Sequence, residues 1–174
     1  SELQLNPATV ALLRSRNVIG KKQILDFFHP SIEDLPDPFL FLDMNTVVER
    51  LDQARKYEEK ITIYGDYDAD GVTATAVMYK GLEKLGFNDV NTYIPNRFDE
   101  GYGLNAEALE ELIRQGTQVV ITVDCGISAI EEAKLLKAAG IDLIITDHHQ
   151  PGDEYPEANA VINPHCKNSN YPFQ

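Results

Sequence analysis

The sequence predicts an α/β fold: a doubly wound parallel sheet with helices on both faces and an N-terminal helical extension. After residue 60, short apolar runs alternate with segments of helical periodicity, which is typical of strands joined by crossover helices. Two runs, at residues 119–123 and 141–145, are almost entirely apolar, as in strands buried on both faces of a parallel sheet. We therefore expect a helical extension over residues 1–58 and an α/β domain over residues 59–174.

The N-terminal extension has apolar residues at helical spacing. Three helices are expected, over residues 7–16, around 24–28 and over 45–58. The second should end before Pro30, because the residue preceding a proline disfavours the helical conformation. A loop rich in acidic residues and proline follows at residues 31–38. The third helix is expected to turn four apolar side chains inward: Val47, Val48, Leu51 and Ala54.

The α/β domain shows five strand-like runs, at residues 61–64, 90–94, 119–123, 141–145 and 158–162. Helices are expected between them, over residues 72–85, 105–116 and 128–139. Asn105 suits the start of its helix, since an Asn side chain accepts a hydrogen bond from an unpaired N–H of the first turn. Residues 95–104 form a polar, glycine-rich loop.

The composition restricts the class of protein. The net charge of −13 argues against a wide surface that grips phosphate backbones, although metal ions at a carboxylate cluster would reverse the local field. No apolar run approaches the length of about 20 residues needed to cross a bilayer. Only two cysteines are present, Cys125 and Cys166, so a disulfide framework is not expected. We therefore expect a cytoplasmic protein without a membrane partner.

Acidic and imidazole side chains follow three of the predicted strands. They are Asp66, Asp68 and Asp70 after the first strand, Asp124 after the third, and Asp147, His148 and His149 after the fourth. Because the carboxyl ends of parallel strands meet at one edge of a sheet, these groups should converge. Carboxylates this close repel one another unless a cation neutralises them. Such a set suits Mn²⁺, Mg²⁺ or Zn²⁺, with more carboxylates favouring the harder ions.

Simpler interpretations exist for each segment taken alone. Residues 66–71 match the start of a calcium-binding EF-hand loop, but the twelfth position is Val77 instead of glutamate. A phosphate-binding P-loop would need a lysine after Gly71, where the sequence has valine. Asp70 suits a helix cap, and adjacent histidines are common on surfaces. Three such segments at one sheet edge favour a metal site over these alternatives.

Five motifs in order resemble a known family. Residues 65–71 (Gly-Asp-Tyr-Asp-Ala-Asp-Gly), 122–126 (Thr-Val-Asp-Cys-Gly) and 147–149 (Asp-His-His) resemble the DHH phosphoesterase superfamily. Residues 94–98 (Ile-Pro-Asn-Arg-Phe) and 101–104 (Gly-Tyr-Gly-Leu) narrow the resemblance to RecJ-type single-strand-specific exonucleases. The resemblance covers nearly the whole chain.

This resemblance implies a role for each site residue. It implies metal ligands at Asp68, Asp70, Asp124, His148 and His149, the last as ligand or as a neighbour of the ligands. Asp66 would join the same catalytic cluster, as a ligand or as the partner of a bound water. The cofactors implied are two Mn²⁺ or Mg²⁺ ions. The reaction implied is hydrolysis of the 5′-terminal phosphodiester of single-stranded DNA, in DNA repair and recombination.

Arg97 is the candidate substrate-binding residue. It lies in the glycine-rich loop, and its guanidinium could hold a phosphate by two parallel hydrogen bonds. The alternative is a surface arginine paired with Asp99 or Glu100.

The resemblance also implies parts beyond this sequence. Relatives of this type carry a further metal-binding aspartate and a second, substrate-binding domain, so we expect the α/β domain to be truncated at its C-terminus. Expected partners are single-stranded DNA, those C-terminal domains, and a single-strand-binding protein or helicase. Two other functions stay open. One is a DHH phosphoesterase acting on small nucleotides or short oligonucleotides, which commonly has histidine where this chain has Tyr64. The other is an inactive DHH scaffold.

Overall fold

The first part of the chain is a small helical unit. The structure is a computed structural model that describes residues 4–99, 101–167 and 169–172. It divides the chain into two compact units, Ser1–Asp37 and Pro38–Gln174. The first unit contains α1 (Pro7–Ser15), α2 (Lys21–Phe28) and a 3-10 turn (Ile32–Asp34). Helix α2 begins earlier than expected because the Gln23 side chain accepts a hydrogen bond from the Gly20 N–H at 2.9 Å.

The second unit contains the sheet. After a 3-10 turn (Pro38–Leu40), its elements are α3 (Met44–Lys56), β1 (Ile61–Gly65), α4 (Ala69–Lys84), β2 (Val90–Tyr93), α5 (Ala106–Arg114), β3 (Val119–Val123), α6 (Ile130–Ala138), β4 (Asp142–Thr146) and β5 (Ala160–Ile162). The five strands are all parallel, in the order β2-β1-β3-β4-β5. The predicted α/β fold is confirmed.

Both faces of the sheet are buried, by different helices. On one face Ile61, Ile63, Val119 and Ile121 share a hydrophobic cluster with residues of α3 and α4. On the other face Tyr64, Val120, Leu143 and Ile145 share a cluster with residues of α5 and α6. This alternation follows from the period of two in a strand, and it gives the helices on both faces that the sequence predicts.

Helix α3 lies in the same unit as the sheet, although the sequence assigned it to the extension. Its Val47 and Ala54 are buried in the cluster that includes Ile61 and Ile63. The compact units therefore divide after Asp37, earlier than the boundary expected at residue 58. The expectation that Val48 faces inward is wrong, since 42% of this residue is exposed.

Helix α4 starts within the acidic segment, at Ala69, three residues earlier than expected. Its cap is Asp68, whose side chain accepts from the Gly71 N–H at 3.1 Å, so the alternative of a cap at Asp70 is wrong. A Cβ at Gly71 would lie 2.5 Å from the carbonyl oxygen of Asp66. Glycine thus allows the first turn of α4 to pack against the end of β1.

The order of the strands identifies a crevice. Strands β1 and β3 are neighbours, but the connection from β1 leads to β2 on one side and that from β3 leads to β4 on the other. Ligands of open α/β sheets bind outside the carboxyl ends of strands at such a switch point. Among the described residues, no helix is long and apolar enough to cross a membrane.

Candidate metal centre

The three acidic segments meet at the switch point because the strands are in register. Gly65 of β1 pairs with Val123 of β3, which pairs with Thr146 of β4. The next residue of each strand is therefore an aspartate at the same level of the sheet: Asp66, Asp124 and Asp147. All three are buried. The structure thus brings together the groups that the sequence placed at separate strand ends.

Asp124 is held in a strained backbone conformation. Its φ of 61° lies in the left-handed region, which is uncommon for residues other than glycine. The turn continues through Gly126, where a Cβ would meet the Thr122 hydroxyl at 2.7 Å. Nε2 of His148 lies 2.8 Å from a carboxylate oxygen of Asp124. The tight turn therefore aims the Asp124 carboxylate toward the histidines, and such strain is frequent at functional sites.

Two groups of side chains have the geometry to hold a cation. One contains Asp66, Asp68 and Asp124, and the other Asp124, His148 and His149. In each group the potential ligand atoms lie within 4.8 Å of one another. Asp124 belongs to both groups.

Asp70 is a member of neither group of potential ligands, although its charge raises the pKa of Asp124. It lines an open cavity of about 390 Å³ together with Ala74, Asp124, Thr146, Asp147 and His148. Asp70 thus faces the same space as the ligand groups, from the first turn of α4.

Asp147 orients its neighbours instead of presenting a free carboxylate. One oxygen accepts from the Ile127 N–H at 3.0 Å. The other accepts from the backbone N–H groups of His148 and His149, at 2.7 and 3.0 Å, and from Nδ1 of His149 at 2.7 Å. Since Nδ1 of His149 is used in this way, Nε2 is the ring atom left for a ligand. Sequence reasoning missed this role; the signal was a carboxylate placed directly after a buried strand.

The charge of the site is unbalanced. Burial raises the pKa of Asp66, and the charge of Asp68 adds to the effect. Burial, followed by the charge of Asp70, likewise raises the pKa of Asp124. The pKa of Asp68 is lowered, chiefly by the hydrogen bond from the Gly71 N–H. In the described part of the chain, these carboxylates form no ion pair with a lysine or arginine. The cluster therefore favours an added cation.

His149 lies among the carboxylates of the site. Its burial opposes protonation, but the hydrogen bond to Asp147 and the nearby carboxylates outweigh that effect and raise its pKa. Two rings pack against it, those of Tyr102 and His148, with centroids 5.7 and 4.6 Å away. The Tyr102 hydroxyl lies 3.2 Å from Nδ1 of His149, and the Tyr102 ring packs edge-on against Tyr67 with centroids 6.5 Å apart. Burial and the surrounding carboxylates raise the pKa of Tyr102, which keeps the hydroxyl protonated.

Arg97 lies beside this aromatic group. Its guanidinium carbon is 5.3 Å from the centroid of the Tyr67 ring, within the range of a cation–π contact. No ion pair joins Arg97 to Asp99 in the described segment, and the Asp99 carboxylate accepts from the Asn96 side chain at 2.7 Å. The alternative pairing with Glu100 lies outside the described residues. Sequence reasoning missed Tyr67 and Tyr102, although each stands within a motif that it singled out.

Comparison with known proteins identifies the family. Residues 60–170 match the family model described as DHH family, N-terminal domain. The chain belongs to the DHH family. This DHH chain is 44% identical over 173 residues to the single-stranded-DNA-specific exonuclease RecJ of Bacillus subtilis (strain 168), a match of 99% of the chain and 22% of the relative. The resemblance to RecJ-type exonucleases is confirmed.

Two solved structures share the fold of this DHH chain. A crystal structure of exonuclease RecJ bound to manganese has a TM-score of 0.68 and 37% identity, over 74% of this chain and 32% of that one. RecJ from Thermus thermophilus in complex with Mn²⁺ has a TM-score of 0.64 and 28% identity, over 93% of this chain and 24% of that one. The chain spans 22% to 30% of the length of the curated relatives that it matches.

Proposed function

We propose that this chain is the metal-dependent phosphodiesterase domain of a single-strand-specific 5′–3′ DNA exonuclease, a hydrolase of DNA repair and recombination. The observation that carries the proposal is the shared carboxylate of Asp124, which belongs to two groups of potential ligands. Such a pair of sites suits two ions that clamp the attacking and leaving oxygens of a phosphoryl transfer. Relatives named single-stranded-DNA-specific exonuclease support the choice of substrate.

The donor set fits Mn²⁺, with Mg²⁺ as the second candidate. Carboxylate oxygens suit both ions, and the imidazoles of His148 and His149 favour the transition metal. The solved RecJ structures with manganese support this assignment. Asp66, Asp68, Asp124, His148 and His149 would hold the ions, and Asp70 would contribute from the cavity wall. The excess of negative charge described above supplies the driving force for binding.

Different residues of the chain would have different roles in hydrolysis. When bound, the divalent ions would lower the pKa of a coordinated water and stabilise charge on the phosphate. Asp147 would keep the His149 ring in one orientation, with Nε2 toward the site. The strained turn at Asp124 would hold its carboxylate between the two ligand groups. Arg97 would bind a phosphate of the DNA, from its position over Tyr67 at the edge of the site.

We extend the proposal to the partners. The net charge of −13 leaves little basic surface for a nucleic acid, so we expect another domain of the same polypeptide to complete the DNA-binding groove. The lengths of the relatives are consistent with such a domain. Further expected partners are a single-strand-binding protein or a helicase, in the cytoplasm.

Calorimetric titration with Mn²⁺ tests the metal site. We expect the wild-type chain to bind Mn²⁺ and the Asp124→Asn variant to lose measurable binding, because one substitution removes a ligand from both groups. Asparagine tolerates the left-handed conformation, so the turn should persist. The matched control is Asp153→Asn, at an exposed aspartate away from the cluster, which should bind Mn²⁺ like the wild type. Equal binding by all three proteins would contradict the assignment.

Release of nucleotides from 5′-labelled single-stranded DNA tests the reaction. We expect Mn²⁺-dependent release by the wild-type chain together with the further domain, and none by Asp124→Asn. Small phosphodiesters and dinucleotides serve as competing substrates. Faster hydrolysis of these would favour the small-nucleotide phosphoesterase, and Mn²⁺ binding without hydrolysis of any substrate would favour the scaffold.

A further inference from the structure

We propose that the buried hydroxyl of Tyr64 is a positioning group, which holds residues 101–104 against the sheet and thereby places Tyr102 beside the metal centre, and with it Arg97, which shares the Tyr67 ring with Tyr102. Tyr64 is the fourth residue of β1, two residues before Asp66. Its ring is fully buried in the cluster that also contains Leu104, at the end of the loop. The part of the inference that concerns DNA rests on the proposed function.

The Tyr64 hydroxyl joins two segments. It donates a hydrogen bond to the carbonyl oxygen of Gly103 at 3.1 Å and accepts one from Nδ2 of Asn105 at 3.2 Å. Asn105 is also the cap of α5, because its Oδ1 accepts from the Ala108 N–H at 2.8 Å. The hydroxyl thus links the end of the loop to the start of a packed helix.

The loop has a shape that needs such an anchor. Gly101 and Gly103 both have positive φ, 80° and 83°, and Tyr102 stands between them. Glycine adopts this conformation without strain but loses more conformational freedom on folding than other residues. A hydrogen bond to the buried carbonyl of Gly103 restricts this flexible segment. By restraining Gly103, this hydrogen bond also restrains the direction in which the neighbouring Tyr102 side chain projects.

Further contacts of the loop are made by exposed side chains, those of Tyr102 and Arg97. The Tyr102 hydroxyl lies 3.2 Å from Nδ1 of His149 and 3.5 Å from the carbonyl oxygen of Asp124. Arg97 is exposed and contacts the Tyr67 ring. These contacts bring the loop to the metal centre, whereas the Tyr64 contact is buried, where a lost hydrogen bond is costly. Tyr64 also meets the turn after β3, since its carbonyl accepts from the Cys125 thiol at 3.7 Å.

Limited trypsin digestion tests the positioning directly, without metal or DNA. Tyr64→Phe removes the hydroxyl and keeps the ring in the core. We expect the initial rate of cleavage after Arg97 to rise about tenfold, because cleavage requires the loop to open locally. Cleavage after Arg114, in the packed helix α5, should change much less. The matched control is Tyr155→Phe, whose hydroxyl accepts from the Lys167 N–H at 3.0 Å, away from the loop. An unchanged rate at Arg97, or an equal rise at both sites, overturns the proposal.

Binding of a 5′-phosphorylated oligodeoxynucleotide in the presence of Mn²⁺ tests whether the position of the loop affects the affinity for DNA. We expect Tyr64→Phe to weaken binding several-fold without changing the Mn²⁺ dissociation constant. In an Arg97→Ala background the same substitution should have a smaller effect than in the wild type, because part of its effect acts through the position of Arg97. Additive losses would overturn that link. If the wild-type chain binds Mn²⁺ but no oligonucleotide, the DNA-binding part of the proposed function fails, and the trypsin result still decides whether Tyr64 positions the loop.

Discussion

The carboxylates at the two ends of the parallel sheet have opposite surroundings. At the amino end, Arg50 of α3 donates to Glu59 at 2.6 Å and to Asp142 at 2.5 Å. Burial opposes the charge of Arg50, but these two carboxylates raise its pKa. At the carboxyl end, Asp66 and Asp124 are paired with no lysine or arginine of the described segments, and their pKa values are raised.

This difference separates a structural site from a functional one. A carboxylate that pairs with an arginine of the same chain needs no external cation to neutralise its charge. A cluster of carboxylates that share only histidines is left with excess negative charge, and a divalent cation relieves it. The absence of an internal cation partner among the described residues, more than the number of carboxylates, points to the metal centre.

The largest expected effect concerns the amino end. Arg50→Met should lower the free energy of unfolding by about 3 kcal/mol, because it leaves the carboxylates of Glu59 and Asp142 without their cation. Urea denaturation measures the change. Arg55→Met on the same helix removes an exposed pair with Asp52 and should cost less than about 1 kcal/mol. The affinity for Mn²⁺ should stay unchanged in both variants. A large loss of affinity in Arg50→Met would contradict the view that the amino end is structural and only the carboxyl end binds metal.

The second effect concerns the carboxyl end. Saturating Mn²⁺ at about 100 times its dissociation constant should raise the free energy of unfolding by about 2.7 kcal/mol, since only the folded chain presents the site. Thermal unfolding with and without EDTA measures it. Arg50→Met should show the same increase as the wild type, and Asp124→Asn none. A shift that persists in Asp124→Asn would mean that the ion binds elsewhere.

The third prediction compares two glycines of α4. Gly71→Ala should lower the free energy of unfolding by about 1–3 kcal/mol, because its Cβ would lie 2.5 Å from the Asp66 carbonyl oxygen. Gly81→Ala meets open space and should raise the free energy of unfolding by about 0.5–1 kcal/mol. Thermal melts of both variants suffice, and equal effects would show that the contact of α4 with the end of β1 is not tight.

The smallest effect is a gain in stability. Without cations at pH 7, Asp66→Asn should raise the free energy of unfolding, because burial and the charge of Asp68 disfavour the Asp66 carboxylate. Since the pKa of Asp66 is raised in the folded chain, the wild type regains that stability by protonation as the pH falls. The advantage of the variant should therefore shrink toward acid pH. Urea titrations with EDTA at neutral and acid pH measure this, and an advantage that stays constant between them would contradict the expectation.

Local patterns in the sequence were sufficient for the elements. The apolar runs lie within one to two residues of the strand bounds, because strands buried on both faces need apolar residues at nearly every position. The expectation that acidic segments share one sheet edge followed from parallel strands alone. The sequence places the start of α4 three residues too late, because it does not show that Asp68, a potential ligand, is also the cap of the helix. The helix can start there because Gly71 packs closely against Asp66.

By itself, the sequence determined the parallel sheet, the edge at which the site lies and the residue types available there. Periodicity and strand ends are local properties, so neighbouring residues encode them. Only the tertiary structure decided that Asp124 belongs to both ligand groups, that Asp147 is occupied by hydrogen bonds, and that Arg50 neutralises Glu59 and Asp142. These roles depend on distances of a few ångströms between residues far apart in the chain, and those distances are set by strand register and helix packing.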